Sequence, residues 1–263
     1  MLRVEMNHFR RMIREPVRRS LWLLAAVLLA AGGGAGAADT VPSSIRLANG
    51  EWPPFTSAAL PGYGSVSQRV SDAFARAGIK VQYQFFPWKR ALEEARDGKL
   101  DGTLVWAHTA DRDADFLYSD PVLVTPYVVF FRKSKPVHWQ TLRDLKGLTI
   151  GGTLGATPTG EYAELARQGV FRREVADDDE LNLRKLAAGH LDAATIEPDV
   201  GIYLLKNRLQ DIAADIDYDP KPVIVVPNYL LISRKTGGAA ELVRRFNLGL
   251  AALPAAATVA APQ

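Results

Sequence analysis

Short apolar segments alternate with amphipathic ones along the chain, and this alternation limits the folds open to it. Ile45–Ala48, Val81–Phe85 and Gly102–Val105 have the apolar character of buried strands. Between the first two strands, apolar residues recur at the spacing of one helical face: Val66, Val70, Ala73, Phe74 and Ala77. A second helix is predicted over Pro87–Asp97. Strands that alternate with helices imply a parallel sheet and an α/β fold.

A second alternation follows a polar, proline-containing stretch at Lys133–Lys146. We predict strands at Thr149–Gly151, Arg173–Val175 and Ala193–Ile196, with helices after each. Two further apolar segments that end in basic residues, Tyr127–Lys133 and Asn228–Lys235, resemble each other. If these two strands lie side by side, the chain crosses twice between two lobes. The predicted lobes are 41–126 plus 228–252 and 127–227, with hinge segments near Thr125–Tyr127 and Pro222–Asn228, and a frayed tail at 253–263.

The first forty residues differ in composition from the rest. Six arginines precede an apolar run, Leu21–Ala31, which is too short to span a bilayer comfortably, and Ala35–Ala37 has the small-x-small pattern of a cleavage site. We interpret residues 1–38 as a secretory signal peptide cleaved near Ala37 or Ala38; a membrane anchor is the alternative. The chain has no cysteine, so neither a lipid-anchor cysteine nor a disulfide framework is expected.

Charge and motifs argue against several classes of function. Six basic and two acidic residues precede Asp39, so the remainder has 26 Lys/Arg and 27 Asp/Glu, a balance that does not favour nucleic acid. The four histidines lack the spacing of metal ligands. The glycine-rich loop Gly151–Gly160 lacks the Gly-Lys-Ser/Thr of a nucleotide loop. We therefore expect no metal and no cofactor.

A candidate anion site follows the strand Gly102–Val105. Trp106, Thr109 and Arg112 arrive within seven residues, and ligands of open α/β sheets bind beyond the carboxyl ends of the strands. Arg112 can hold a carboxylate by two parallel hydrogen bonds. The alternative is a loop with one solvated arginine.

Other candidates lie at comparable places. Trp52 and Trp88 are near strand ends and suit a flat or cationic ligand; ordinary core packing is the alternative. Arg90 begins a helix, where the helix dipole disfavours a cation; a solvated helix face is the alternative. Glu197 follows an apolar strand and precedes Pro198, so it is either a ligand-binding acid or an exposed neighbour of a helix N-cap. Phe55 completes the candidates as a further aromatic side chain of the first loop.

These residues together resemble the family 3 extracellular solute-binding proteins of bacterial ABC importers. The resemblance covers about Ile45 to Ala252 and is carried by Trp52-Pro-Pro-Phe55, by Leu100-Asp-Gly102 with Thr109-x-x-Arg112 and Ser119-Asp-Pro121, and by Gly189-x-Leu-Asp-Ala193 to Glu197. It implies a two-lobed type II periplasmic-binding-protein fold, with two parallel-type sheets flanked by helices and joined by a two-strand hinge.

The resemblance also implies roles for residues. Arg112 would pair with the α-carboxylate of a ligand, Trp52 and Trp88 would sandwich its side chain, Thr157 would contact it from the second lobe, and Glu197 would bind its ammonium group. The implied protein is a periplasmic monomer that captures a small zwitterion or carboxylate and delivers it to an inner-membrane ABC permease. The sequence departs from the family pattern at Val105 to Ala107, where small hydroxyl residues are usual, and at Glu197, where Asp is usual.

Two other functions remain open on the same fold. Glu197 is compatible with a dehydratase of the cyclohexadienyl type, in which a carboxylate in the cleft performs acid–base chemistry. The input domain of a sensor kinase is disfavoured, because no apolar segment of membrane-spanning length follows residue 252.

Overall fold

The computed structural model describes residues 42–153 and 160–254. In these residues, eight strands form one mixed sheet that is flanked by six helices. The strands are β1 (Ser44–Asn49), β2 (Lys80–Phe85), β3 (Gly102–Ala107), β4 (Phe116–Arg132), β5 (Thr149–Thr153), β6 (Arg172–Ala176), β7 (Ala193–Ile196) and β8 (Ile216–Ser233). The helices are α1 (Ser65–Ala75), α2 (Trp88–Arg96), α3 (Gly160–Arg167), α4 (Asp179–Ala187), α5 (Pro198–Asn207) and α6 (Ala239–Ala251). No helix in this part of the chain combines the length and the hydropathy that crossing a membrane requires. The predicted signal peptide and nearly all of the predicted tail lie outside the described residues.

The strand order is β2-β1-β3-β8-β4-β7-β5-β6. β1 is parallel to β2 and β3, and β5 is parallel to β6 and β7. β8 and β4 lie between these two groups and are antiparallel to each other and to their outer neighbours. The two predicted parallel units are therefore present, and two crossing strands join them.

The two crossing strands are much longer than the predicted strands. Tyr127–Arg132 is the end of the 17-residue β4, and Asn228–Ser233 is the end of the 18-residue β8. Proline lacks a backbone N–H, which argues against a central strand. The structure accommodates Pro121 by shifting the register on either side of it.

Apolar packing on the sheet follows the predicted helical faces. In α1, Val66, Val70, Ala73 and Phe74 are buried, as the periodicity predicts. Phe74 contacts Phe246 of α6 with 4.8 Å between ring centroids. The two helices approach so closely that a Cβ at Gly249 would lie 2.0 Å from the carbonyl oxygen of Ala73. Glycine is therefore required at this crossing.

Polar side chains link the two crossing strands at their centre. Asn228 of β8 donates a hydrogen bond to Thr125 Oγ1 of β4 (3.0 Å) and another to the carbonyl oxygen of Val226 (3.1 Å). Both side chains are buried, so each bond satisfies a group that water does not reach. The middle of the sheet is thus held by side chains as well as by the ladder of backbone bonds.

Candidate ligand site

The carboxyl ends of β3 and β7 both point toward the centre of the crossing strands. Ala107 of β3 pairs with Asn228 of β8, which pairs with Leu123 of β4, whereas Ile196 of β7 pairs with Val128 of β4. Each step across the sheet from β3 to β7 is antiparallel, so β3 and β7 run in opposite directions. Their ends are five positions apart along β4, or about 17 Å. Residues that follow the two strands therefore approach each other from opposite sides.

The end of β3 contains a β-bulge at Val105. Leu104 pairs with Leu230 and Trp106 pairs with Tyr229, so Val105 is an extra residue. Its φ of 59° is left-handed, which is a genuine outlier for a β-branched residue. After the bulge, the Trp106 indole is buried and donates a hydrogen bond to Thr103 Oγ1 (2.9 Å). It also contacts Trp88 edge-on, with 5.6 Å between ring centroids.

Arg112 is buried, with 6% of the residue's surface exposed. Its Cζ lies 4.8 Å from the centroid of the Trp106 ring, and its Nη1 donates to the carbonyl oxygen of Ala107 (2.9 Å). Its Nε is buried without a hydrogen-bond partner, and no described acidic side chain forms an ion pair with it. Burial of an unpaired guanidinium is unfavourable by several kcal/mol. An anionic ligand at the Nε edge would relieve this penalty.

Thr109 lies beside Arg112 and also has an unsatisfied group. Its Oγ1 is buried, and no described atom meets the geometry of a hydrogen bond with it. Hydrogen bonding from the Thr109 side chain is nevertheless the main cause that lowers the pKa of the neighbouring Asp111 carboxyl, so the two side chains are close. The backbone of Thr109 contacts the Tyr118 hydroxyl at 3.4–3.5 Å. The Thr109 hydroxyl therefore has Asp111 as a neighbour, and the backbone bond from Arg112 N–H to the Thr109 carbonyl oxygen (3.1 Å) holds it in the same turn as the unpartnered Nε of Arg112.

The predicted aromatic residues are brought into one region. The rings of Trp52 and Phe55 are 4.9 Å apart, and backbone hydrogen bonds of 2.7–3.1 Å tie Trp52 to Thr56. Trp88 packs over Gly50, where a Cβ would lie 2.5 Å from its ring. Trp88 in turn contacts Trp106, which contacts Arg112. Phe55 is a buried core residue, whereas Trp52 and Trp88 are partly buried.

Two predicted residues are not placed in this cluster by the described part of the chain. Arg90 is exposed on α2, where it pairs with Glu94 (3.4 Å) and lies over the Phe86 ring (5.0 Å). Thr157 lies outside the described residues. The structure therefore leaves the ligand-binding role of both residues as a prediction.

Glu197 immediately follows β7 and caps α5. Its Oε2 accepts a hydrogen bond from the backbone N–H of Val200 (2.9 Å), so Glu197 is itself the buried N-cap and not an exposed neighbour of one. Glu197 is 2% exposed, and no described basic side chain pairs with it. Burial raises the pKa of the Glu197 carboxyl to about 8; the Val200 bond opposes this, and the nearby Asp199 and Asp179 add to it. A buried acid of this kind is poised to receive a cationic group.

Asp179 is a second buried acid that the sequence interpretation did not single out. It begins α4, is 7% exposed, and accepts a hydrogen bond from the Thr153 hydroxyl. Burial raises its pKa to about 6, opposed by hydrogen bonding from Thr153, Trp52 and Asn182. The contact with Trp52 joins the group of strands that contains β1 to the group that contains β5.

Asp179 and Glu197 lie near one further polar group. Together with burial, both acids raise the pKa of Tyr127 on β4, which places its hydroxyl in the same region.

The position of Asp179 in the sequence was only an ambiguous indication of a role in the site. It is one of three successive aspartates, and favourable placement at a helix N-terminus explains all three equally well.

The arrangement offers the Arg112 guanidinium after β3 and two buried acids, Asp179 after β6 and Glu197 after β7. Arg112 and Thr109 can hold a carboxylate, and Glu197 and Asp179 can hold a group with positive charge or N–H donors. Among the described residues, no group of three or more His, Cys, Asp and Glu side chains is arranged to hold a metal ion.

Solved structures of other proteins share this fold. An ancestral arginine-binding protein bound to arginine has a TM-score of 0.66 at 19% identity, over 80% of this chain and 92% of that one. A histidine kinase sensor domain with similarity to periplasmic binding proteins has a TM-score of 0.64 at 21% identity, over 79% and 89%. An amino acid ABC transporter substrate-binding protein from Streptococcus pneumoniae, bound to L-arginine, has a TM-score of 0.62 at 14% identity, over 80% and 88%. The predicted fold class is confirmed.

Sequence comparison assigns the family. The search of curated proteins found no significant match. A family model, however, matches residues 47–262, which include β2 to β8 and every residue of the site described above. This chain belongs to the bacterial extracellular solute-binding proteins, family 3.

Proposed function

We propose that this protein is a periplasmic receptor that captures a small, amino-acid-like zwitterion or carboxylate and delivers it to an inner-membrane ABC permease. The observation that carries the proposal is Arg112, a buried guanidinium whose Nε edge has no partner among the described residues. A ligand carboxylate would receive two parallel hydrogen bonds from this edge and a third from the Thr109 hydroxyl. Glu197 would accept the ligand ammonium group, and Trp52 and Trp88 would flank its side chain.

The proposed motion is closure of two lobes, 41–126 plus 228–252 and 127–227, about the centre of β4 and β8. Arg112 belongs to the first lobe, and Glu197 and Asp179 belong to the second. A ligand that contacts both lobes binds the closed form more tightly and so shifts the population toward it. The permease would recognise the closed conformation. We further propose that residues 1–38 direct export and that the receptor is a monomer without a cofactor.

A thermal-shift screen of the purified protein with amino acids, polyamines and small organic acids tests this function. L-arginine and L-glutamine belong in the panel because solved relatives of this fold are bound to them. We expect at least one zwitterion to raise the melting temperature of the native protein and to leave that of Arg112→Met unchanged. If every compound raises both proteins equally, or none raises the native protein, the proposal is wrong.

A dehydratase of the cyclohexadienyl type is the second candidate. One observation favours it: the pKa of Glu197 is raised to about 8, near the value that suits a general acid or base at neutral pH. Incubation with arogenate or prephenate, followed by product absorbance, separates the two functions. If the native protein turns over either compound and Glu197→Gln does not, the protein is an enzyme. Stabilisation without turnover supports the receptor.

A further inference from the structure

The backbone of Val105 is in a conformation that its side chain disfavours. Its φ of 59° brings the Cβ of an L-residue close to the following carbonyl group, which strains the backbone. In β-bulges with a left-handed first residue, that residue is usually glycine. Strain of this kind persists where the surrounding structure imposes it, and it clusters at functional sites.

The bulge decides which face of the sheet receives Trp106. Leu104 and Val105 both pack in the main core cluster, on the face that Leu230 shares. Trp106 packs in a different cluster with Phe116 and Leu231. In a regular strand, alternate residues share a face, so Trp106 would lie on the side of Leu104. The left-handed residue inserts one extra position and sends Trp106 to the other side.

Within the described part of the chain, the guanidinium of Arg112 is held by the two residues after the bulge. The Trp106 ring lies 4.8 Å from Cζ, and the carbonyl oxygen of Ala107 accepts from Nη1 (2.9 Å). These contacts occupy one face and one nitrogen of the guanidinium and leave Nε unpartnered. The direction of the strand end therefore determines which edge of Arg112 is offered to a ligand.

We propose that Val105 is a positioning residue of the anion site, whose left-handed backbone turns the end of β3 so that Trp106 and Ala107 hold the Arg112 guanidinium. The valine side chain fills the main core and is 8% exposed, which explains why a residue other than glycine occupies the position. The role in ligand binding rests on the proposed function, but the backbone device can be tested without any ligand.

The first test compares alanine with glycine at two positions. Val105→Ala and Val105→Gly remove nearly the same core volume, so their difference in melting temperature reports the backbone. We expect Val105→Gly to melt ~2–4 °C above Val105→Ala, because glycine adopts a left-handed φ without a penalty. Ile45 is the matched control, since it is buried in the regularly paired β1. There, Ile45→Gly should melt below Ile45→Ala.

The second test follows the position of Trp106 in the ligand-free protein. Two indoles 5.6 Å apart couple their electronic transitions, so the Trp88–Trp106 pair should give an exciton couplet in circular dichroism. Trp88→Phe and Trp106→Phe assign it. Val105→Gly should keep the couplet, whereas Val105→Pro, whose φ is held near −65°, should lose it.

The outcomes separate this inference from the proposed function. If Val105→Gly melts below Val105→Ala, or if the couplet persists in Val105→Pro, the positioning role is wrong even if the screen finds a ligand. If Val105→Pro does not fold, the order of the melting temperatures of Val105→Ala and Val105→Gly still decides. If the screen finds no ligand but both tests succeed, the backbone device stands and the receptor function fails.

Discussion

The guanidinium of Arg112 lies on the indole ring of Trp106, with 4.8 Å between Cζ and the ring centroid, and no described carboxylate pairs with it. An apolar side chain of similar length should be tolerated there, because the penalty of burying the charge disappears. We expect Arg112→Met to melt at or above the native protein without ligand and to lose all ligand-induced stabilisation. Thermal unfolding with and without the best compound of the screen measures both effects.

Arg112→Lys is the matched control for this change. It keeps the charge but not the planar fork that gives two parallel hydrogen bonds, so ligand-induced stabilisation should be largely lost as well. A ligand-free Arg112→Met protein that melts more than ~8 °C below the native one would show that Arg112 is a structural residue; this shift corresponds to roughly 2–4 kcal/mol.

Glu197 should make the ligand-free protein less stable as the pH rises. Its pKa is raised to about 8 in the folded state, above its ordinary value of 4.5, so the folded protein holds the proton more tightly than the unfolded chain. Stability from this group is therefore full below about pH 4.5 and is lost as the pH rises toward 8. Glu197→Gln should flatten this slope. Melting temperatures between pH 5 and 8.5 measure it, and equal slopes in both proteins would contradict the raised pKa.

Glu197 should also discriminate between ligands. A bound ammonium group would stabilise its carboxylate, whereas the amide of Glu197→Gln carries no charge. We expect Glu197→Gln to weaken binding of amine-bearing ligands ~10- to 100-fold, the value of a charge-assisted hydrogen bond, and to weaken plain carboxylates much less. Isothermal titration with a matched pair, an amino acid and its deaminated analogue, measures the difference. Equal losses for both would remove the ammonium role.

Asp179 should act as a hydrogen-bond acceptor more than as a charge. It accepts from Thr153 and is within reach of the Trp52 indole N–H. Asp179→Ala leaves these donors unsatisfied and should lower the free energy of unfolding by ~1–3 kcal/mol, whereas Asp179→Asn, which keeps an acceptor, should lose less than half as much. Urea unfolding measures both, and Ala at the neighbouring, exposed Asp177 is the control. If Asp179→Asn lowers the free energy of unfolding as much as Asp179→Ala does, the charge of Asp179 is needed for stability.

The sequence predicted the parts of the site that depend on local chemistry. Trp106, Thr109 and Arg112 follow a buried strand, so their gathering at its carboxyl end was foreseeable from spacing and topology. The bulge at Val105 was not foreseeable, because a β-branched residue in an apolar run predicts a strand with regular alternation. The full length of β4 and β8 was also missed, since prolines argue against central strands. Asp179 depends on tertiary contacts with Thr153 and Trp52, which no local pattern reveals.

Gly50 should control the position of Trp88. A Cβ at this buried glycine would lie 2.5 Å from the Trp88 ring, so Gly50→Ala must displace the indole or the backbone, at ~1–3 kcal/mol of stability. Ligand-induced stabilisation should fall at the same time, because Trp88 moves away from Trp106. Gly237→Ala is the matched control, since no atom lies within 4 Å of its added Cβ, and it should leave both quantities unchanged. In the double variant Gly50→Ala/Trp88→Leu the smaller side chain makes room for the methyl group. Its loss of stability should therefore be smaller than the sum of the two single losses; strict additivity would show that Trp88 is not what the methyl group displaces.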